Sequence, residues 1–254
     1  MKVTPKKSLG QHFLRDEAIA LEIANSLTSG NTNVLEVGAG TGMLTKYLLK
    51  NENLNFKVVE IDSESVEYLK ENYPQLDGKL IYKDFLTLEL DKIFSGKMSI
   101  IGNFPYNISS QILFKMLDYK DIVTEMVGMF QKEVAERVAA APGSKTYGIT
   151  SVLVQAFYDI EYLFTVDENK FTPPPKVKSA VIRIRKNDDK KLACDEALFK
   201  KVVKTAFNQR RKTLRNSLKT FTFEESFITD SIFSLRPEQL TIEQFEQICK
   251  AIKE

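Results

Sequence analysis

Val34-Leu35-Glu36-Val37-Gly38-Ala39-Gly40-Thr41-Gly42 is a short apolar run that ends in a cluster of three glycines. The run reads as a strand, and Met43 to Leu49 beyond it as a helix. Glycines let the backbone of such a turn approach a ligand closely, and free N–H groups at a helix start favour a negatively charged group. The spacing is Gly-x-Gly-x-Gly, not the Gly-x-Gly-x-x-Gly of the dinucleotide fingerprint. A plain strand-to-helix turn has the same look, so the loop decides the fold only together with the later runs of the chain. Phe56 to Ile61, Lys79 to Tyr82, Met98 to Gly102 and Glu125 to Phe130 are further strand-like runs, with helical stretches at Ser65 to Asn72 and Ser109 to Leu117. Strands separated by helices imply right-handed crossovers and an α/β fold with a mostly parallel, doubly wound, Rossmann-like sheet.

The pattern changes after Pro173-Pro174-Pro175. Ala180 to Arg185 alternates at period two and Asp159 to Val166 is strand-like, so the sheet is expected to close with an antiparallel end. From about Asp195 only helical spacing remains, in Leu198, Val202, Val203, Ala206 and in Ile242, Phe245, Ile248. Arg236-Pro237 marks a loop with proline at a helix start. The spacing predicts a sheet domain over 1–188 and a small all-α C-terminal domain over 189–254.

At 254 residues, 43% hydrophobic and 28% charged, the chain has the composition of a globular protein with an adequate core, not of a disordered or collagen-like one. No stretch approaches the ~18 consecutive apolar residues of a membrane span. Met1 to Ser8 has charge but no apolar segment after it, which does not read as a secretory signal. Two cysteines, Cys194 and Cys249, are too few for a disulfide scaffold, which points to a reducing cytoplasm. The single histidine, His12, excludes any mechanism that needs two, and no metal is expected. The net charge of +2 hides an imbalance, because Lys176 to Lys219 carries 15 Lys and Arg against 4 Asp and Glu. Such a tract suggests a phosphate backbone as partner, against the plain alternative of a solvated basic face. It lacks the sustained apolar face that insertion into a membrane surface requires.

Acids at the ends of successive strands fit a nucleoside. Glu60 ends the second strand, beside Ile61, where a carboxylate can accept ribose hydroxyl protons. Asp84, beside Phe85, follows the third, where it can accept from an adenine amino group. Glu36 lies inside the first strand, two residues before the loop. Gly38, Gly40 and Gly42 with these residues make a candidate cofactor site, for which NAD and S-adenosylmethionine remain open.

Asn103-Phe104-Pro105-Tyr106 follows the fourth strand. An aromatic amine has its lone pair delocalised into the ring and is a poor nucleophile. Two acceptors on its hydrogens pull the nitrogen toward a tetrahedral shape and free the lone pair. The Asn103 side-chain oxygen and the Phe104 carbonyl suit that task, Pro105 fixes the backbone, and Tyr106 offers a face for a flipped base. The motif resembles that of S-adenosylmethionine-dependent methyltransferases of amino nitrogens. Asn103-Phe104-Pro105-Tyr106-Asn107-Ile108-Ser109 is similar, with phenylalanine for leucine, to the form in ribosomal RNA adenine dimethyltransferases, the KsgA-type and Erm enzymes. Ser8-Leu9-Gly10-Gln11-His12-Phe13-Leu14 resembles a further motif of that family, which implies that Gln11, His12 and Leu14 help to cover the cofactor. Phe171-Thr172-Pro173-Pro174-Pro175-Lys176-Val177 resembles another, which implies that Phe171 sandwiches the target base opposite Tyr106. From the residues alone Phe171 also reads as a hydrophobic anchor for the proline turn. Phe207 to Arg215 resembles the KsgA-type branch in particular, and as a basic helical segment it would place Arg210, Arg211, Lys212 and Arg215 on RNA phosphates.

The resemblance implies a class I methyltransferase fold and S-adenosylmethionine as cofactor. It also implies dimethylation of two adjacent adenosines near the 3′ end of small-subunit rRNA by a monomeric chain. An Erm-like large-subunit rRNA adenine methyltransferase, a non-catalytic assembly factor and a protein glutamine methyltransferase are the rivals. The basic segment Phe207 to Arg215 argues against the first, intact Glu60, Asp84 and Asn103 against the second, and the basic tract is unexplained by the third.

Overall fold

The computed structural model describes residues 3–28 and 30–253. Nine strands occur among them: β1 (Phe13–Leu14), β2 (Asn33–Val37), β3 (Asn55–Glu60), β4 (Leu80–Tyr82), β5 (Met98–Asn103), β6 (Val123–Gln131), β7 (Tyr158–Val166), β8 (Phe171–Thr172) and β9 (Ser179–Lys186). Seven form one sheet in the order β4-β3-β2-β5-β6-β9-β7, and β1 pairs with β8 in a separate antiparallel ribbon. The pairs from β4 through β6 are parallel, and β9 runs antiparallel to β6. The chain leaves β2 outward through β3 and β4, then returns to β5 on the other side of β2. That reversal opens a crevice beyond the carboxyl ends of β2 and β5, where open α/β sheets bind their ligands.

The central strands are buried on both faces, as parallel strands under helices must be. Val34, Leu35, Val58, Ile100, Ile101, Met126 and Val127 are each at most 1% exposed. Helices α1 (Glu17–Ala24), α2 (Thr45–Leu48), α3 (Ser63–Asn72) and α4 (Ser109–Asp118) belong with the sheet. Asp16 and Asp62 cap α1 and α3 by accepting from Ile19 and Glu64 backbone N–H groups, at 3.1 and 3.3 Å. The helix read at Met43 to Leu49 is shorter than expected. Gly40 to Leu44 remain in turns, and α2 keeps four residues.

The chain packs as two compact units, 1–135 with 159–186, and 136–158 with 187–254. Residues 136–158 thus group with the C-terminal helices, a division that differs from a single break at 188. They include the end of α5 (Lys132–Ala139) and all of α6 (Ile149–Gln155). The second unit continues with α7 (Glu196–Asn208), α8 (Leu214–Ser217), α9 (Glu225–Ile228) and α10 (Ile242–Lys250). Its core forms where the helical spacing predicts: Val202, Val203, Ala206, Phe245 and Ile248 are fully buried. Phe199 meets Phe245 edge-on at 6.4 Å between ring centroids. No helix among the described residues is long and apolar enough to cross a membrane.

Candidate active site

The crevice holds a cavity of about 250 Å³. Its floor is the glycine loop. Gly38 takes φ 73° and donates to the Val59 carbonyl at 2.9 Å, which prolongs the β2–β3 pairing by one residue. Gly40 takes φ 54°, and a Cβ there would lie 2.7 Å from the Phe13 ring, so a side chain would expel that ring. The Gly40 N–H donates to Glu60 Oε2 at 2.9 Å, and Glu60 Oε1 accepts from Ile61 and Asp62 N–H at 2.8 and 2.9 Å. The expected cradle of free N–H groups at a helix start is therefore absent: α2 is one turn long and begins three residues later. The loop instead orients a carboxylate. Glu60 is 4% exposed, and burial pushes its pKa up against the three backbone hydrogen bonds that pull it down. Three of its roughly four acceptor positions are used, which leaves room for a hydroxyl donor from the cavity.

Beyond Glu60 the wall turns apolar. Ile61 is 45% exposed and lines the cavity, a surface that a flat ring would cover. Asp84 accepts from Leu86 N–H at 2.8 Å through one oxygen, so its other oxygen remains for an amino group. Phe85 is held from behind by Lys115 of α4, whose Nζ donates to the Leu86 carbonyl at 3.0 Å and sits 5.6 Å from the Phe85 ring centre. A hydroxyl acceptor, an exposed apolar face and a carboxylate in series fit the adenosine part of a cofactor. Glu60→Ala should therefore weaken S-adenosylmethionine binding by on the order of tenfold or more in calorimetry, the usual loss for a hydrogen bond to a charged group. An unaltered affinity removes Glu60 from the ribose.

The opposite wall carries the Asn103-Phe104-Pro105-Tyr106 turn. Asn103 Nδ2 donates to the His12 carbonyl at 2.9 Å, and this bond commits the amide nitrogen to the protein and the oxygen to acceptance. The phenylalanine at 104 has its own accommodation. Its ring is 1% exposed and occupies a slot where Cβ atoms at Gly102 or Gly128 would come within 2.8 and 2.2 Å. Bulk that leucine would not need is taken up by two glycines on adjacent strands. Tyr106 lines the cavity, its hydroxyl shares a hydrogen bond with Ser179, and its ring stacks on His12 at 5.2 Å and 27°. His12 in turn holds the Pro173 carbonyl through Nδ1 at 2.7 Å.

The cavity thus gathers Gln11, His12, Gly38, Gly40, Glu60 and Ile61 with Asp84, Phe85 and residues 103–106. Four expected site residues lie elsewhere. Glu36 is 1% exposed beneath the loop, where Thr45 Oγ1 donates to it at 2.7 Å, and it lines only a small pocket behind Gly38. Gly42 packs against the Tyr73 ring, 2.4 Å from where its Cβ would stand. Leu14 and Phe171 face each other across β1 and β8, are 3% and 1% exposed, and belong to the core, so the anchoring reading of Phe171 is the one its placement supports. Gln11 covers the cavity while tying Lys6 N–H, at 2.7 Å, to Asp62, at 3.2 Å. Lys83, Asn107 and Lys115 were not singled out from the sequence. Of these only Asn107 left a signal, because Gly10 at φ 63° makes room for its side chain.

In the second unit the segment 209–213 is a turn between α7 and α8, not helix. α8 restarts only after Leu214 N–H has bonded the Leu235 carbonyl at 2.8 Å. Arg210 donates to the Lys145 carbonyl and lies 3.8 Å from Glu238, and Arg215 donates to the Ile228 carbonyl at 3.1 Å. Arg211 and Lys212 are exposed. The basic tract divides between the two units, and on the sheet unit Arg183 pairs with Glu161 and Lys178 with Asp167.

The model of the ribosomal RNA adenine dimethylase family matches residues 3–254. The chain is 58% identical over 255 residues to ribosomal RNA small subunit methyltransferase A of Bacteroides thetaiotaomicron, covering 99% of this chain and 95% of that protein. It is 59% identical over 248 residues to the protein of the same name from Parabacteroides distasonis, covering 97% and 93%. A dimethyladenosine transferase from Plasmodium falciparum superposes with a TM-score of 0.77 at 22% identity, over 95% of this chain and 99% of that one, a likeness of fold.

Proposed function

Because the chain belongs to the ribosomal RNA adenine dimethylase family, we propose that it dimethylates two adjacent adenosines near the 3′ end of small-subunit rRNA. It is an S-adenosylmethionine-dependent rRNA adenine dimethyltransferase. When bound, S-adenosylmethionine supplies an electrophilic methyl group. The chain's own residues supply position and polarity. Glu60 holds the ribose, Asp84 the adenine amino group, and Ile61 and Phe85 the faces of the ring. Gly38 and Gly40 keep the floor low enough for the methionine portion.

The observation that carries the acceptor side is the Asn103–His12 hydrogen bond, because it aims the Asn103 oxygen rather than its nitrogen at the incoming amine. That oxygen and the Phe104 carbonyl accept hydrogen bonds from the amino group, Pro105 holds them in register, and Tyr106 supports the base. Positioning and preorganised dipoles account for the rate. Arg211 and Lys212, free of the structural bonds that occupy Arg210 and Arg215, grip phosphate. The two thiols fit work in the cytoplasm.

Labelled methyl transfer to ribosomal subunits from a strain lacking this enzyme tests the proposal. Dimethyladenosine in the small subunit, and none in the large, is expected. Transfer to the large subunit, or none to either while cofactor still binds, overturns it.

A further inference from the structure

Tyr106 is pinned by residues that arrive from far along the chain, and one of them has no other task. Ser179 opens β9 opposite Gln131 of β6, fully buried, so the paired strands fix its position. Its Oγ meets the Tyr106 hydroxyl. The ring above that hydroxyl is covered on one face by His12, and His12 is itself fastened to Pro173, six residues before Ser179. Pro105 fixes the backbone at the root of the ring. A tyrosine held at hydroxyl, face and root has little freedom in either side-chain torsion, which a base platform requires if the amine is to meet two acceptors of fixed position.

We infer that Ser179 is a positioning residue for methyl transfer: through the Tyr106 hydroxyl it sets the plane and depth of the surface on which the target adenine rests. The inference builds on the reading that Tyr106 supports the base. A hydroxyl fully buried in a strand start could satisfy itself on backbone, and alanine would fill that space with less cost. Its pairing with a ring that lines the cavity and belongs to the Asn103 turn gives it a role in the reaction. Ser179 touches neither base nor cofactor, so its loss acts on alignment and leaves binding of the cofactor intact.

The test uses the full-length enzyme with small subunits at saturating concentration, and reads single-turnover methylation, cofactor affinity and thermal stability together. Ser179→Ala and Tyr106→Phe each delete the same hydrogen bond, one from the buried side and one from the cavity side. Each is expected to slow the methylation step about tenfold with the cofactor dissociation constant unchanged, and to lower the melting temperature by no more than a few degrees, the assay being run far below unfolding. The double variant is expected to be no slower than either single one, because nothing remains to be lost. Full rate in Tyr106→Phe, losses that multiply in the double variant, or a loss that tracks cofactor affinity or melting temperature overturns the inference. Tyr106→Ala separates the two readings. If it retains full rate, the platform itself is wrong. If it is slow while Tyr106→Phe is not, only the role of Ser179 falls.

Discussion

Replacing Asn103 with alanine should abolish methyl transfer while leaving S-adenosylmethionine affinity nearly as it was. The two halves of that expectation rest on different bonds. Asn103 stands at the carboxyl end of β5, and its amide nitrogen is already spent on the His12 carbonyl, so in the proposed reaction its oxygen is the group that would meet the acceptor amine. That amine gains nucleophilicity only as its lone pair leaves the ring, and the acceptors that draw on its hydrogens act more strongly in the transition state than before it. Removing one such preorganised dipole costs on the order of 10²–10³-fold in rate. The proposed cofactor anchors, Glu60 and Asp84, hang from β3 and from the turn after β4, and their hydrogen bonds go to Gly40, Ile61, Asp62 and Leu86. The alanine variant also frees the His12 carbonyl, which water can reach at the cavity edge, so the fold should survive. Single-turnover assays and calorimetry on the same preparation decide. Undiminished transfer ends the acceptor role, and a parallel collapse of cofactor affinity makes Asn103 a binding residue instead.

The parts of this site that were legible in the sequence are those written in local signals. A strand followed by glycines, a carboxylate at the end of each of the next two strands, and Asn-x-Pro-Tyr after the fourth all specify their surroundings within a few residues. Loop floor, Glu60, Asp84 and Asn103 accordingly meet in one cavity. The burial of Leu14 and Phe171 was not legible because they pair with each other, 157 residues apart, in a ribbon of two residues per strand that no periodicity reveals. Strand alternation then divides neighbours: Phe13 goes to Gly40 and the cavity, Leu14 to the core. α6 reads Ile149-Thr150-Ser151-Val152-Leu153-Val154-Gln155, a sequence whose β-branched residues favour a strand, and burial of Val152, Leu153 and Val154 makes it helix. α1 was different, since Asp16 before Glu17 is a cap signal that was there to be used. The basic segment 210–215 shows the limit of charge as evidence. Four cations in sequence say nothing of which are held by carbonyls, and Arg210 and Arg215 are.

Glu36 should make the sheet unit less stable as pH rises from 5 to 8, and Glu36→Gln should remove that loss. The carboxyl is 1% exposed, and its pKa is pushed up to about 8, first by burial and then by the charge of Glu60, against the Thr45 hydroxyl that pulls it down. An unfolded glutamate titrates near the ordinary value of 4.5. Between those two values the unfolded chain has released its proton and the folded one has kept it, so the native state binds more protons and the unfolding free energy falls with pH. The slope approaches about 1.4 kcal/mol per pH unit inside the window, and the total is on the order of a few kcal/mol, with nothing further lost above the folded pKa. Glutamine keeps a carbonyl for Thr45 Oγ1 and cannot ionise. Titrations of groups that do not interact with Glu36 cancel when variant and parent are compared. In urea unfolding the stability of Glu36→Gln relative to the parent should climb steadily from pH 5 to pH 8. A difference that stays constant over that range means Glu36 is already ionised in the folded protein. Beneath the glycine loop a neutral Glu36 also keeps a second negative charge away from Glu60, the carboxylate proposed to meet the ribose.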